Sequence, residues 1–305
     1  MTRRFDIVAM GEAMVEFNQT HGAQPEYLQG FGGDTSNAII AASRAGARTA
    51  YISAVGDDHF GEKLKGLWDE NGVNNSQAAI IKGATTGIYF VHHGKDGHTF
   101  SYRRTDSAAA LMQLTDAQMG YIAQARYLHL SGISLAISPN AKTQCLKAIQ
   151  AARVAGTLVS FDSNLRLKLW RMEDARSAML QAIAFTDIFL PSLEDVTALS
   201  GLEKPEDIVQ WSHEIGAKTV VLKLGNQGVL ISANGVQERI PAHTVQAVDA
   251  TGAGDCFCGN LLARLCAGDA LAQAARYANA AAALAVQGFG AVAPLPFPDA
   301  VNALL

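Results

Sequence analysis

The sequence predicts an α/β protein, a mainly parallel sheet covered by helices on both faces with a small second β-sheet projecting from it. Three observations carry this expectation. Short β-type runs alternate with helical patterns along most of the chain, the rhythm of repeated βαβ units. A glycine-rich turn precedes a helical run near each end. One segment of the N-terminal third breaks the alternation, with β-type runs that have no helical pattern between them.

Taken in order, residues 5–10 form an apolar run of strand length that opens the sheet. Residues 14–18 and the short run 27–29 are again β-type and belong with the small sheet. Residues 34–45 are an Ala-rich helix with Gly46 placed to stop it. A strand over 49–55 and a helix over 58–71 follow. Residues 85–93 and 99–103 are β-rich and joined by Gly94-Lys95-Asp96-Gly97, a turn containing Asp-Gly. The small-sheet strands therefore fall within about 14–30 and 85–104. Strands over 127–131, 157–162, 187–190 and 219–223, with helices over 141–155 and 206–216, complete the alternation. No Pro- or Ser-rich linker, repeat or low-complexity tract divides the chain, so residues 1–305 read as one domain.

Composition narrows the class. Hydrophobic residues make up 49% of the 305 and charged residues 17%, enough for a large core and too few charges for disorder. The formal charge is −4, and basic runs stop at Arg3-Arg4 and Arg103-Arg104, which argues against nucleic acid or an anionic membrane as partner. The N-terminus lacks the long apolar core and cleavage site of a secretory signal. The most apolar stretches, such as 278–286, fall short of a bilayer span. A cytoplasmic protein is expected. Cys145, Cys256, Cys258 and Cys266 have no zinc-type spacing and read as buried, reduced thiols.

Chemistry is sought in the loops after the strands, because ligands of parallel sheets bind beyond the carboxyl ends of the strands. Asp249-Ala250-Thr251-Gly252-Ala253-Gly254-Asp255 runs into an apolar helix. Gly252, Ala253 and Gly254 can bring bare N–H groups close to a ligand, and the helix points its positive end at the same spot, which suits a phosphoryl group in transfer. Asp255 falls in the first turn, where a carboxylate can take a proton from an attacking hydroxyl. Gly30-Phe31-Gly32-Gly33-Asp34-Thr35-Ser36-Asn37 offers backbone N–H groups, the Asp34 carboxylate and the Asn37 amide, which suit the hydroxyls of a sugar. Each element alone could be only a turn and a helix cap.

Together, at opposite ends of the chain, the two elements resemble the ribokinase-like family of sugar kinases (the phosphofructokinase B type) over essentially the whole length. The resemblance implies a three-layer kinase domain whose small sheet closes as a lid, and whose exposed face often makes a homo-oligomer contact. It implies that Gly33, Asp34 and Asn37 hold the sugar, that Gly252, Ala253 and Gly254 form an anion hole, and that Asp255 is the base. ATP and magnesium are the implied cofactors. Lys223-Leu224-Gly225-Asn226-Gln227-Gly228 resembles the nucleotide loop, giving Lys223, Gly225 and Gly228 as nucleotide contacts. Asn279 resembles a position near the base, or is an Asn satisfied locally on an apolar helix. Where most members carry Asn-x-x-Glu this chain has Pro191-Ser192-Leu193-Glu194, with Ser192 near the nucleotide and Glu194 reaching magnesium through water. Asp249 resembles a residue of the family's potassium site.

The acceptor is read from the small sheet. Tyr89, Tyr102 and Arg104 place phenols and a guanidinium over the sugar, and Asn164 and Arg166 lie at the end of the strand over 157–162. Arg104 and Arg166 can pair with a carboxylate, or with ATP phosphates, or can stand solvated. Gly32-Gly33-Asp34-Thr35, the Tyr102-Arg103-Arg104 segment, the stretch 130–137 and Asp162-x-Asn164-x-Arg166-x-x-Leu169-Trp170 are similar to 2-keto-3-deoxygluconate kinases, whose paired tyrosines are Ser101-Tyr102 here. The resemblance implies phosphorylation of the terminal hydroxyl of 2-keto-3-deoxygluconate. A fructokinase- or ribokinase-type activity and a non-catalytic sugar-acid binder are the alternatives. A P-loop kinase and a dinucleotide oxidoreductase are set aside, since neither glycine signature occurs.

Overall fold

The computed structural model describes residues 3–19, 26–94 and 97–305. Among the described residues thirteen strands fall into two sheets. They are β1 (Phe5–Met10), β2 (Met14–Gln19), β3 (Tyr27–Gly32), β4 (Thr49–Gly56), β5 (Ala78–Ile81), β6 (Gly87–Gly94), β7 (Gly97–Arg103), β8 (Ala125–Ser131), β9 (Leu158–Asp162), β10 (Ile188–Leu190), β11 (Thr219–Lys223), β12 (Val229–Ala233) and β13 (Val236–Ile240). The large sheet has nine strands in the order β13-β12-β11-β10-β9-β8-β1-β4-β5. From β11 to β5 every pairing is parallel, and β12 and β13 join antiparallel at one edge.

Side-chain alternation explains why the central strands read as unbroken apolar runs. In β1, Ile7 and Ala9 enter the core on one face of the sheet, while Val8 and Met10 enter the core on the other. A strand covered on both faces needs apolar residues at successive positions. The first core is closed by the helices Asp34–Arg44, Ala253–Ala267 and Leu271–Ala285, and the second by Pro139–Ala155, Met172–Ile183 and Pro205–Ile215. This gives the three-layer α/β arrangement expected. Among the described residues no helix is long and apolar enough to cross a membrane.

The expected strands recur within one or two residues, except that β3 runs on to Gly32, three residues past the run expected over 27–29. Thr157 precedes β9 because its N–H still closes the preceding helix on Ala152 O at 2.8 Å. The helix expected over 141–155 begins earlier, at Pro139, because the Ser138 hydroxyl caps it. Gly46 lies just past the Asp34–Arg44 helix with φ 93°, the stop expected of it. Cys145, Cys256 and Cys258 are buried, whereas Cys266 is only half-buried.

The second sheet has the order β3-β2-β6-β7. Its β6–β7 hairpin stays paired out to Gly94 opposite Gly97, and the turn residues Lys95 and Asp96 lie outside the described residues. Tyr89 stacks on Tyr102 with ring centroids 5.9 Å apart, and Phe100 stacks on Tyr102 at 6.2 Å. These aromatic side chains share the face turned to the large sheet's strand ends.

Candidate active site

A cleft of about 910 Å³ opens between the small sheet and the carboxyl ends of the large sheet's central strands. The Gly252–Asp255 turn, the Gly33–Asn37 turn and the loop after β9 all reach it. Residues from the two ends of the chain meet there because the Asp34–Arg44 and Ala253–Ala267 helices pack side by side. Gly259 makes that contact close, since a Cβ there would lie 2.1 Å from the carbonyl oxygen of Ala38. At the cleft end of this pair, the Asn37 amide donates to Asp255 Oδ2 at 2.8 Å. The Asn37 Oδ1 is buried with no hydrogen-bond partner, leaving an acceptor for a donor from outside the chain.

Gly252 starts its helix at φ 75°, and no side chain caps the turn. The Ala253 N–H closes back on Ala250 O at 3.2 Å, so Gly254 and Asp255 supply the first-turn amides with the fewest internal claims. A Cβ on Gly254 would come within 3.4 Å of Lys223 Nζ, which puts an ammonium directly beside the helix start. That ammonium bonds both oxygens of Asp162 at 2.8 and 2.9 Å. Burial alone would lower the Lys223 ammonium, but the Asp162 carboxylate holds it above its ordinary value.

Asp255 lines the cleft as a carboxyl group of perturbed acidity. Burial first, and then the Asp34 carboxylate, push its pKa up to about 7, while the Asn37 hydrogen bond and Lys223 pull the other way. Burial also raises Asp34, against hydrogen bonds from Ser131 and the Thr35 N–H. Asp34 accepts from the Asn164 amide at 2.9 Å, and Asn164 holds φ 28° to present it. The glycine before Asp34 is required twice over. Gly33 has φ 111°, and a Cβ there would lie 2.4 Å from Glu12 O.

Arg166 is exposed at the rim, its Nη1 donating only to Leu165 O at 2.9 Å. Arg104 is 9% exposed and ion-paired with the fully buried Glu12. The Tyr89 hydroxyl donates to Glu16, itself buried, and burial raises both groups. Ser192 caps the Leu193–Ser200 helix through Asp195 N, and Glu194 and Asp195 line the cleft, Asp195 accepting the Ser163 hydroxyl at 2.7 Å. Hard oxygen donors beside an anion-binding helix start are what a magnesium–nucleotide complex needs. Gly225 also lines the cleft. Gly228 does not, since its left-handed backbone packs the turn against Ile240. Asn279 is likewise outside the lining and donates to the carbonyls of Ile240 and Pro241 at 3.3 and 3.0 Å. Asp249 accepts from the N–H groups of Thr251 and Gly290, both at 2.9 Å, and so pins the glycine turn.

The sequence pattern brings most of its candidates into one cleft, and it passes over two carboxylates, Glu12 and Asp195, which belong to no local motif. Asp162 opens a motif the sequence shows, but its pairing with Lys223 is visible only in the fold.

A nucleotide-sized cleft, a glycine turn opening a helix, and a raised carboxylate between them define a phosphotransferase site on an α/β scaffold. The chain belongs to the pfkB family of carbohydrate kinases, whose family model matches residues 4–298. It is similar to Fructokinase-1 of Zea mays, 33% identical over 305 residues that cover 95% of this chain and 94% of the relative. It is as similar to 2-dehydro-3-deoxygluconokinase of Escherichia coli K12, 32% identical over 304 residues, 94% of this chain and 97% of that one. The solved structure of Fructokinase from Vibrio cholerae O395, with fructose, ADP and calcium ion bound, superposes with a TM-score of 0.88 at 27% identity, covering 99% of each chain. The protein is an ATP-dependent carbohydrate kinase.

Proposed function

We propose that the protein transfers the terminal phosphoryl group of ATP to the end hydroxyl of 2-keto-3-deoxygluconate, giving the 6-phosphate. The observation that carries the acceptor is the placing of Arg104, Arg166, Tyr89 and Tyr102 around one end of the cleft that holds Asp255. The exposed Arg166 supplies a positive charge and Arg104, though paired with Glu12, supplies guanidinium donors, and together they suit a carboxylate. ATP supplies the phosphoryl group when bound, and magnesium held near Glu194 and Asp195 would screen its phosphate charge.

The chain's own residues do the rest. Asn37 and Asp34 take acceptor hydroxyls, with the buried Asn37 Oδ1 receiving one of them. Asp255 accepts the proton of the attacking hydroxyl, a role its raised pKa suits near neutrality. The Gly254 and Asp255 amides, with the Lys223 ammonium beside them, stabilise negative charge on the oxygens in transfer. The small sheet acts as a lid that excludes water, and its outer face is offered to a second copy of the chain. Asp249 holds the turn and stands where a monovalent cation such as potassium would strengthen it. A cytoplasmic setting suits an enzyme that consumes ATP.

A fructokinase-type activity is the second reading, favoured by the Glu12 carboxylate already paired with Arg104. ADP release measured over a panel of sugars and sugar acids with ATP and magnesium separates the two. The sugar acid is expected to give the highest kcat/KM, and a preference for fructose would overturn the first reading and leave the second.

A further inference from the structure

Arg104 enters the acceptor end of the cleft already accompanied. Its Nη2 contacts Oε2 of Glu12, and both side chains are at least nine-tenths buried. The approach is close, yet neither Nη2 nor Oε2 has an aligned hydrogen bond, and neither does Arg104 Nε. Glu12 is fixed from its other side: its Oε1 accepts the Ser107 hydroxyl, and Gly87 leaves it room, since a Cβ there would stand 2.8 Å from Oε1. Its backbone oxygen backs the Gly33 turn, so the same residue touches both walls of the acceptor site. No other charged side chain bonds Arg104 among the described residues.

A buried guanidinium beside a buried carboxylate contributes donors to a ligand and almost no net charge. We propose that Glu12 is the residue that sets acceptor selectivity: it positions the Arg104 guanidinium and cancels its charge, leaving Arg166 as a cation that makes no ion pair among the described residues. This rests on the acceptor lying beneath the small sheet, and it holds whichever acceptor the wild type prefers. With Glu12 present, Arg104 serves hydroxyls and carboxylates alike. Without that negative charge, Arg104 becomes a cation in a poorly solvated site and favours an acid. Without Arg104, Glu12 becomes an anion that repels one.

The experiment compares kcat/KM for 2-keto-3-deoxygluconate with kcat/KM for fructose in four proteins, the wild type, Glu12→Gln, Arg104→Met and the double variant, with ATP KM and thermal midpoints recorded. Glu12→Gln is expected to raise the acid-to-neutral ratio by about tenfold, with ATP KM unchanged, because Gln keeps the shape and the Ser107 bond. Arg104→Met is expected to lower the ratio by at least as much. The double variant holds neither charge of this pair and is expected to recover most of that loss, which keeps the proposal open to test if Glu12→Gln alone fails to fold. A ratio that Glu12→Gln leaves unchanged or moves toward fructose would overturn the proposal. So would a double variant no better with the acid than Arg104→Met. A wild-type preference for fructose would defeat the sugar-acid reading and leave these expected shifts in place.

Discussion

Asp255 keeps its proton into the neutral range because burial and the neighbouring Asp34 both disfavour its anion. Two outcomes follow at this one residue. As the proposed base Asp255 acts in its ionised form, so kcat/KM is expected to fall on the acid side with a limb near pH 7 in the free enzyme. Stability runs the other way. The folded-state value of about 7 lies above the ordinary 3.8, so folding takes up a proton between them. The stability from that proton is present in full below about pH 4 and is lost as pH rises through 7. Asp255→Asn cannot ionise and is expected to melt several degrees above the wild type at pH 8, with no difference at pH 4. Its turnover should drop by roughly 10²–10⁴. Melting curves at the two pH values, with turnover at pH 8, check both, and near-normal turnover would reduce Asp255 to a helix-start residue. Glu12 belongs to this scale too, and it was out of reach of the sequence reading. It follows β1 in an unremarkable loop, and its role comes from Arg104 and Ser107, which lie far along the chain.

Helices and strands carried their signals unevenly. The parallel strands were legible because burial on both faces forces continuous apolar runs, as in β1 and β11. The antiparallel edge was not. Four of the five residues of β13 are exposed, so its sequence Val-Gln-Glu-Arg-Ile has no reason to look like a strand. β5 is short, with two of its four residues exposed, and it was missed for the same reason. The site followed the same division. Gly33 and Gly252 announce turns through their own chemistry, whereas the approach of two helices depends on Gly259, whose partner Ala38 is known only from the fold. Gly259→Val should push the Asp34–Arg44 and Ala253–Ala267 helices apart and pull Asn37 off Asp255. A loss of about 1–3 kcal/mol of stability is expected, with a fall in kcat larger than any change in ATP KM. Denaturant melts and steady-state rates check this, and unchanged values for both would show that the helices have slack at this crossing.

For the molecule as a whole, the two sheets act as a frame that gathers single residues from distant places. On the proposed reading the acceptor side of the cleft comes from the loops after β1, β3, β7 and β9, and the phosphate side from the loops after β10 and β11 and from the Gly252 turn. Such non-local pairing is slow to form. In refolding from denaturant, kinase activity should return with the slowest phase, after most of the helical signal. Activity that recovered with the first phase would mean that the cleft assembles before the frame.

The Asn37–Asp255 hydrogen bond spans 218 residues of chain. On a ribosome the N-terminal residue of that pair waits through most of synthesis for its counterpart to appear. A nascent chain that has reached β13 still lacks the Ala253–Ala267 and Leu271–Ala285 helices, which close one face of the large sheet. If Asp255 is the base proposed above, activity is expected to appear only once that last stretch is made and packed, as a single late step in the protein's own production.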